Sequence, residues 1–274
     1  MTLRAVGLRI LMSVAVAGLL CLLTLPLMAL VVRLSPAAVW HRLGQPGALA
    51  ALRLSLVTSA AATLAVVLLG LPVAYLLATR DFPGKRLVQA IVELPIVLPP
   101  TVAGVGLLLA FGRTGLAGGA LHAVGITLPF TTLAVIVAQS FVATPFFISA
   151  GLAGLASVEP RYLEVAATLR AGPAYRFFRV MLPLALPSIL AGAAMSWARA
   201  LGEFGATITF AGSLAGRTET MPLAVYDALE TDIDSAVALS IVLLVLSFGV
   251  LVCLRYAPWA AGIGGSRRAQ RPGR

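Results

Sequence analysis

Arg199 and Glu203 lie within the stretch WARALGEFGATITF, Trp197–Phe210, which otherwise has the composition of a membrane helix. A spacing of four puts two side chains one turn apart on one helix face, close enough to pair. An unpaired charge within a span costs at least about 2.5 kcal/mol on insertion scales, so a placement of this kind requires a compensating role. The order Arg then Glu is the less favourable orientation for helix stability, so propensity alone does not account for it. Three roles are open. The pair could clip this helix to its neighbours, or it could line an outer gate or cavity wall on an anion path together with Phe204 and Thr207. On such a path Arg199 would attract a dianion and Glu203 would keep it from being trapped. Third, Glu203 could be a proton-coupling carboxylate. Threonines 207 and 209 have a simpler reading as hydroxyls bonded to their own helix backbone. Glu93, the other acid within a span, falls near one membrane edge and reads as an interface or pairing residue.

Other chemistry is poorly provided for. The two histidines, His41 and His122, fall in loop segments, and there is no HExxH pattern. Cys21 and Cys253 lie in the first and last apolar runs, which points to reduced, packing cysteines and to neither a disulfide nor a metal site. FPGKR lacks the first glycine and the hydroxyl residue of a phosphate-binding loop, so any ATP must be handled by another chain. The sequence therefore predicts no catalytic residue, no metal site and no cofactor of its own. A stand-alone intramembrane enzyme and a complete pump are disfavoured. An ion-coupled secondary transporter is disfavoured too, since no convincing internal repeat is visible.

The elements that must position these residues are helices across a bilayer. Of 274 residues, 60% are hydrophobic and 11% are charged. Soluble domains are about a quarter charged, so this is an all-α polytopic membrane protein. Uncharged runs cover Ile10–Val32, Leu54–Thr79, Leu94–Gly112, Thr114–Val158, Val180–Ala198 and Ser235–Leu254. All but one are near the roughly 20 residues a span needs. Thr114–Val158 is too long, and its glycine-rich first third reads as a loop, with the span beginning near Pro129. Six spans result, in a single domain over residues 1–274, with an uncleaved first span at 10–32.

The net charge of +10 follows the loops and does not indicate nucleic acid. With the amino terminus inside, fourteen of the twenty Lys and Arg residues fall on the cytoplasmic side. That bias places both termini in the cytoplasm of a plasma-membrane protein. The basic tail, 259–274, reads as a lipid-facing end. Proline is frequent inside the spans, and ELPIVLPPTVAGVG, Glu93–Gly106, with Pro95, Pro99 and Pro100, predicts a kinked helix.

The cytoplasmic loop 157–183 is structured in its own right. Tyr162, Val165, Ala166 and Leu169 recur at i, i+3, i+4 and i+7, the stripe of an amphipathic helix. Pro160 suits its first turn, and Gly172 followed by Pro173 predicts its end. A second short helix is expected from Pro173 to just before Pro183. The narrow, alanine-containing stripe favours close approach to another surface.

EVAATLRAGPAYRFFRVMLPLALP resembles the cytoplasmic loop of binding-protein-dependent ABC importer permeases. Their pattern is Glu-Ala-Ala, three residues, Gly, nine residues, then a hydrophobic residue, any residue, Leu-Pro. Glu164, Ala166, Val180, Leu182 and Pro183 fall on it. Val165 replaces the first alanine and Arg170 replaces the glycine, leaving Gly172 as the candidate to take over the turn. The resemblance implies a type I importer permease fold in which this loop docks on a cytoplasmic ATPase through Tyr162, Glu164, Ala166, Ala167, Leu169, Gly172, Val180, Leu182 and Pro183. LPIVLPPTVAG, RDFPGKR and RALGEFGATITFAGSLAGRTETMPLAVYDALE extend the resemblance over about residues 50–255, to molybdate-type oxyanion permeases. Sulfate, thiosulfate and tungstate systems share much of this pattern. The resemblance implies as partners an ATP-binding subunit carrying ATP-Mg, an extracytoplasmic oxyanion-binding protein and a second permease copy. The acidic outer segment GSLAGRTETMPLAVYDALETDID reads as a landing surface for that binding protein or as ordinary solvated acids.

Overall fold

Every regular element among the described residues of the computed structural model, residues 3–256, is helical, and side chains are described over 9–253. The basic tail expected at 259–274 lies outside the described residues. Thirteen helices follow one another: α1 (Leu3–Arg33), α2 (Pro36–Leu43), α3 (Pro46–Thr79), α4 (Lys85–Val97), α5 (Pro100–Phe111), α6 (Gly118–Ala123), α7 (Thr132–Ala156), α8 (Pro160–Thr168), α9 (Pro173–Arg176), α10 (Leu182–Leu201), α11 (Gly205–Ala211), α12 (Met221–Thr231) and α13 (Ile233–Tyr256). Five helical stretches among the described residues are long and apolar enough to span a membrane, or six if the bent pair α4–α5 counts as one span.

Helices α3, α7 and α10 form the centre. Val66, Leu77, Phe147, Leu155 and Ile189 are buried together there. A smaller contact joins Ala62, Ala143 and Ala200, one from each helix, where small side chains let the backbones approach. Polar side chains also cross between these helices. Trp197 Nε1 donates to Ser59 Oγ at 2.9 Å, and Ser196 Oγ donates to the Ala143 carbonyl at 3.2 Å. The first span stands apart. Its side chains from Ile10 to Val32 are almost all exposed on the isolated chain, and it packs against α13.

Several expectations are corrected. Cys21 and Cys253 are free thiols exposed on the isolated chain, where a packing role was expected. His41 and His122 sit on the short helices α2 and α6, where loop positions were expected. The third span begins at Lys85, well before Leu94, and it is broken more sharply than a kink: α4 and α5 meet at 117°. Pro95 lies inside α4, whose helix continues to Val97. The break falls at Leu98–Pro99, because the residue before a proline is pushed into extended backbone and Leu98 has ψ 131°. Pro100 then opens α5, where its missing N–H costs no helix bond.

The helix starting at Pro173 does not stop before Pro183. It passes through a π-helical turn, Phe177–Met181, directly into α10, making one apolar rod from Pro173 to Leu201. Pro183 cannot donate to the residue four back and its ring crowds that carbonyl. The wider turn, in which the Leu182 N–H reaches the Phe177 carbonyl, leads into it.

Candidate functional site

The loop residues fold as α8 followed by the base of the rod. Pro160 is at the first turn of α8, as its spacing predicts. The expected stripe lines one surface. Ala166 is its buried floor, while Leu163, off the stripe, packs on the central core. Tyr162, Val165 and Leu169 stand around Ala166 and are 46%, 55% and 78% exposed. Glu164 and Ala167 are exposed as well. The outward apolar side chains, with Tyr175 and Val180 from the rod, line an open groove of about 770 Å³ rimmed by Arg161 and Arg170. Leu182 packs on the core, and Pro183 is exposed at the start of α10.

The turn after α8 is made differently from the expectation. Gly172 has φ −67°, ordinary extended backbone, and does not take over from the missing glycine. Arg170 itself adopts left-handed backbone, φ 59°. Its N–H donates to the Ala167 carbonyl at 2.9 Å, and the Ala171 N–H reaches the Ala166 carbonyl at 3.1 Å, closing the helix end.

At the opposite end of the rod, the stretch holding Arg199 and Glu203 is not one helix. The helix ends at Leu201, residues 202–204 are non-helical, and α11 starts at Gly205. Glu203 is 1% exposed. Arg199 Nη2 reaches its Oε2 at 2.6 Å, while its Oε1 accepts the Ala206 N–H at 2.9 Å. One carboxylate therefore ties the last turn of α10 to the first turn of α11, and it satisfies one of the N–H groups left free where a helix begins. Phe204 packs its ring on Tyr226, centroids 5.3 Å apart. Thr209 bonds back to the Gly205 carbonyl at 2.9 Å. Thr207 does not follow suit: it is buried with no partner for its hydroxyl.

The break in the third span meets this one. A Cβ on Gly205 would sit 2.5 Å from Pro100 Cβ, and one on Gly104 would sit 2.6 Å from Thr209 Cβ. Thus α5 lies backbone-close against α11, with Phe210, Ala206, Ala103 and Leu107 buried between them and α7. The structure brings Pro100 together with the Glu203 segment. Pro99 sits at the bend beside it, and the loop residues lie at the far end of the rod. Sequence reasoning missed Gly104, whose signal was the small-residue spacing in TVAGVG. It also missed Gln139 on α7, fully buried with neither amide atom partnered. A lone glutamine in an apolar run was its only mark. Glu93 is exposed on α4 and makes no ion pair among the described residues.

The acidic outer segment is largely spoken for. Arg42 pairs with Asp232 and, at 3.6 Å, with Asp234, which Arg33 also approaches at 3.5 Å. Hydrogen bonds from Ser235 and Arg42 lower the Asp232 carboxyl to about 2. Ser213 Oγ donates to Asp227 at 2.6 Å. Burial, then the neighbouring Asp227 charge, raises the Glu219 carboxyl. Of the five outer acids, Glu219 and Glu230 have carboxylates with no ion pair or hydrogen bond among the described residues.

The chain matches the model of the family described as "Binding-protein-dependent transport system inner membrane component" over residues 67–257. It is 44% identical over 233 residues to the molybdenum transport system permease protein ModB of Mycobacterium tuberculosis, covering 85% of this chain and 88% of that one. ModB of Escherichia coli K12 is 36% identical over 218 residues, 79% of this chain and 95% of that one. The sulfate transport system permease protein CysT of Salmonella typhimurium is 36% identical over 234 residues, 84% of each chain. In fold, a chain of a bacterial ABC transporter that imports the acidic polysaccharide alginate superposes with a TM-score of 0.76 at 17% identity, over 98% of this chain and 97% of that one.

Proposed function

The chain belongs to the binding-protein-dependent transport system inner membrane component family, and from that premise we propose that it is the subunit of an ABC importer that passes molybdate through the membrane. One observation carries its mechanical role. The groove formed by Tyr162, Val165, Leu169, Tyr175 and Val180 stands open beside two arginines, at the base of a rod that runs to the Arg199–Glu203 break. Exposed apolar patches framed by polar residues mark interaction sites. The occupant of the groove is the separate ATPase subunit, which holds ATP-Mg, and a second copy of this chain completes the path. The excess of Lys and Arg on the loop side supports cytoplasmic termini.

In this reading, ATP binding closes the ATPase pair and carries the α8 groove with it. The rod passes that displacement to the Glu203 segment and so to α5 and α11, which gate the path in the outer half of the membrane. The binding protein delivers the anion at the outer mouth. Arg199 is held by Glu203, so it gives a passing dianion a weak attraction and no deep site. Sulfate is the second reading, favoured by the CysT relative.

The test uses a strain lacking its own molybdate uptake, complemented with the complete transport system. Uptake of molybdate, tungstate and sulfate is measured for the wild type and for Val165→Asp/Leu169→Asp, two outward positions. Molybdate uptake should fall about tenfold or more in the variant, the effect of losing about 1.4 kcal/mol of docking. Unchanged uptake would remove the groove from the mechanism. Uptake of sulfate alone by the wild type would replace the cargo.

A further inference from the structure

A second cleft lies behind the groove, where the inner end of α3 meets the base of the rod. It encloses about 230 Å³ and is lined by Tyr75, Thr79, Arg80, Arg176, Phe177 and Met181, among others. An edge-on contact between Tyr75 and Phe177, centroids 4.7 Å apart, joins its two walls. Thr79 already spends its hydroxyl on the Tyr75 carbonyl, at 2.8 Å. Two guanidinium groups therefore supply the charge of the cleft, beside the Tyr75 hydroxyl.

Neither arginine pairs with an acidic side chain. All ten Asp and Glu residues of the chain fall within the described residues, so the account of acidic side chains is complete. On this side of the membrane, Asp81 is held by Lys85 at 2.8 Å and Glu159 by Arg161 at 3.3 Å. Glu93 and Glu164 are exposed and pair with neither Arg80 nor Arg176. Arg176 Nε is buried without a hydrogen-bond partner. Two like charges at one cleft, one with a dry unmet donor, call for an anion. A guanidinium presents paired donors that suit the oxygens of a phosphate.

The depth of the cleft narrows the choice. Arg80 is the first charge after the uncharged run Leu54–Thr79, so it marks the level where hydrocarbon gives way to headgroups. Phe177 and Met181 form an apolar wall beside the two cations, a surface suited to the glycerol and upper acyl region of a lipid. We propose that Arg80 and Arg176 hold the phosphate of an anionic phospholipid, bridging the inner end of α3 to the π-turn at the base of the rod. The inference needs only the membrane reading. Its binding test is independent of cargo and of the ATPase, so its failure would leave the transport assignment untouched.

The full chain, purified in a zwitterionic detergent, is titrated with short-chain phosphatidylglycerol, with phosphatidylcholine and with inorganic phosphate. Thermal unfolding and retention of lipid in native mass spectra are the readouts. Phosphatidylglycerol should stabilise saturably and phosphatidylcholine should not. Arg80→Gln, at an exposed position, should weaken binding about fivefold, the share of one basic residue near a lipid surface. Arg80→Gln/Arg176→Gln should abolish it, while Arg86→Gln/Arg179→Gln, outside the cleft, should leave it unchanged. Equal stabilisation by phosphatidylcholine, or undiminished binding by the Arg80→Gln/Arg176→Gln variant, would overturn the proposal. Stabilisation by phosphate without any by phosphatidylglycerol would overturn the lipid assignment.

Discussion

The two helix breaks at α4–α5 and α10–α11 are made by opposite means and come to rest against each other. At Leu98–Pro99 the chain turns because proline rules forbid the helix, and no charge is involved. At residues 202–204 nothing forbids the helix outright: two glycines weaken it and a buried carboxylate holds the broken ends. The first break is written into the covalent chain. The second depends on an electrostatic contact that can be undone, so the second is the better place for a movable joint.

The comparison breaks most visibly at Glu203. Glu203→Ala removes the partner of Arg199 and the acceptor of the Ala206 N–H together. It should cost about 3–5 kcal/mol, the range for breaking a buried ion pair. Denaturant unfolding in detergent measures it, and a loss below about 1 kcal/mol would make the Glu203 contact dispensable. A smaller effect tests the meeting of the two breaks. Gly205→Ala puts a methyl against Pro100 and should cost about 1–3 kcal/mol through overpacking, read as a lowered melting temperature. An unchanged melting temperature would show that α5 and α11 can part without cost.

The smallest effect lies away from both breaks, at the clasp of Arg42 on Asp232. The Asp232 carboxyl is lowered from its model-peptide value of 3.8 to about 2, so it binds its proton more weakly folded than unfolded. Its contribution is therefore complete above about pH 4 and fades as the pH falls toward 2. Unfolding midpoints of the wild type and Arg42→Gln should differ slightly at neutral pH and converge across that window. A constant difference would place the effect of Arg42 elsewhere.

Legibility in the sequence follows the same division. Pro99 and Pro100 announce their break because proline acts locally, and the six apolar runs announce their helices because bilayer thickness fixes their length. The second break was hidden. Gly202, Glu203 and Gly205 look tolerable in a helix one at a time, and the short α11 is specified by its packing on α5. The loop was half visible. Periodicity found α8 and its stripe of Tyr162, Val165, Ala166 and Leu169, which lines the groove, but it could not tell that Leu163 would fasten the helix to the core. Nor could it show that Arg170 would accept the left-handed turn. The rod was masked by Pro183, read as a stop because the π-turn that leads into it leaves no mark in composition. Gln139 and the Arg80–Arg176 cleft needed three dimensions, since their partners, or lack of them, come from distant helices.

The outlying position of α1 bears on the membrane itself. Its uncharged stretch, Ile10–Val32, measures about 35 Å as a helix, against a hydrocarbon layer of about 30 Å. Such mismatch is relieved by tilting. The outer end of α1 is clasped by Arg33 on Asp234, and its side chains meet little of the core, so it can lean without disturbing α3, α7 or α10. A thicker or thinner bilayer is therefore accommodated by this outrigger before any strain reaches the central helices.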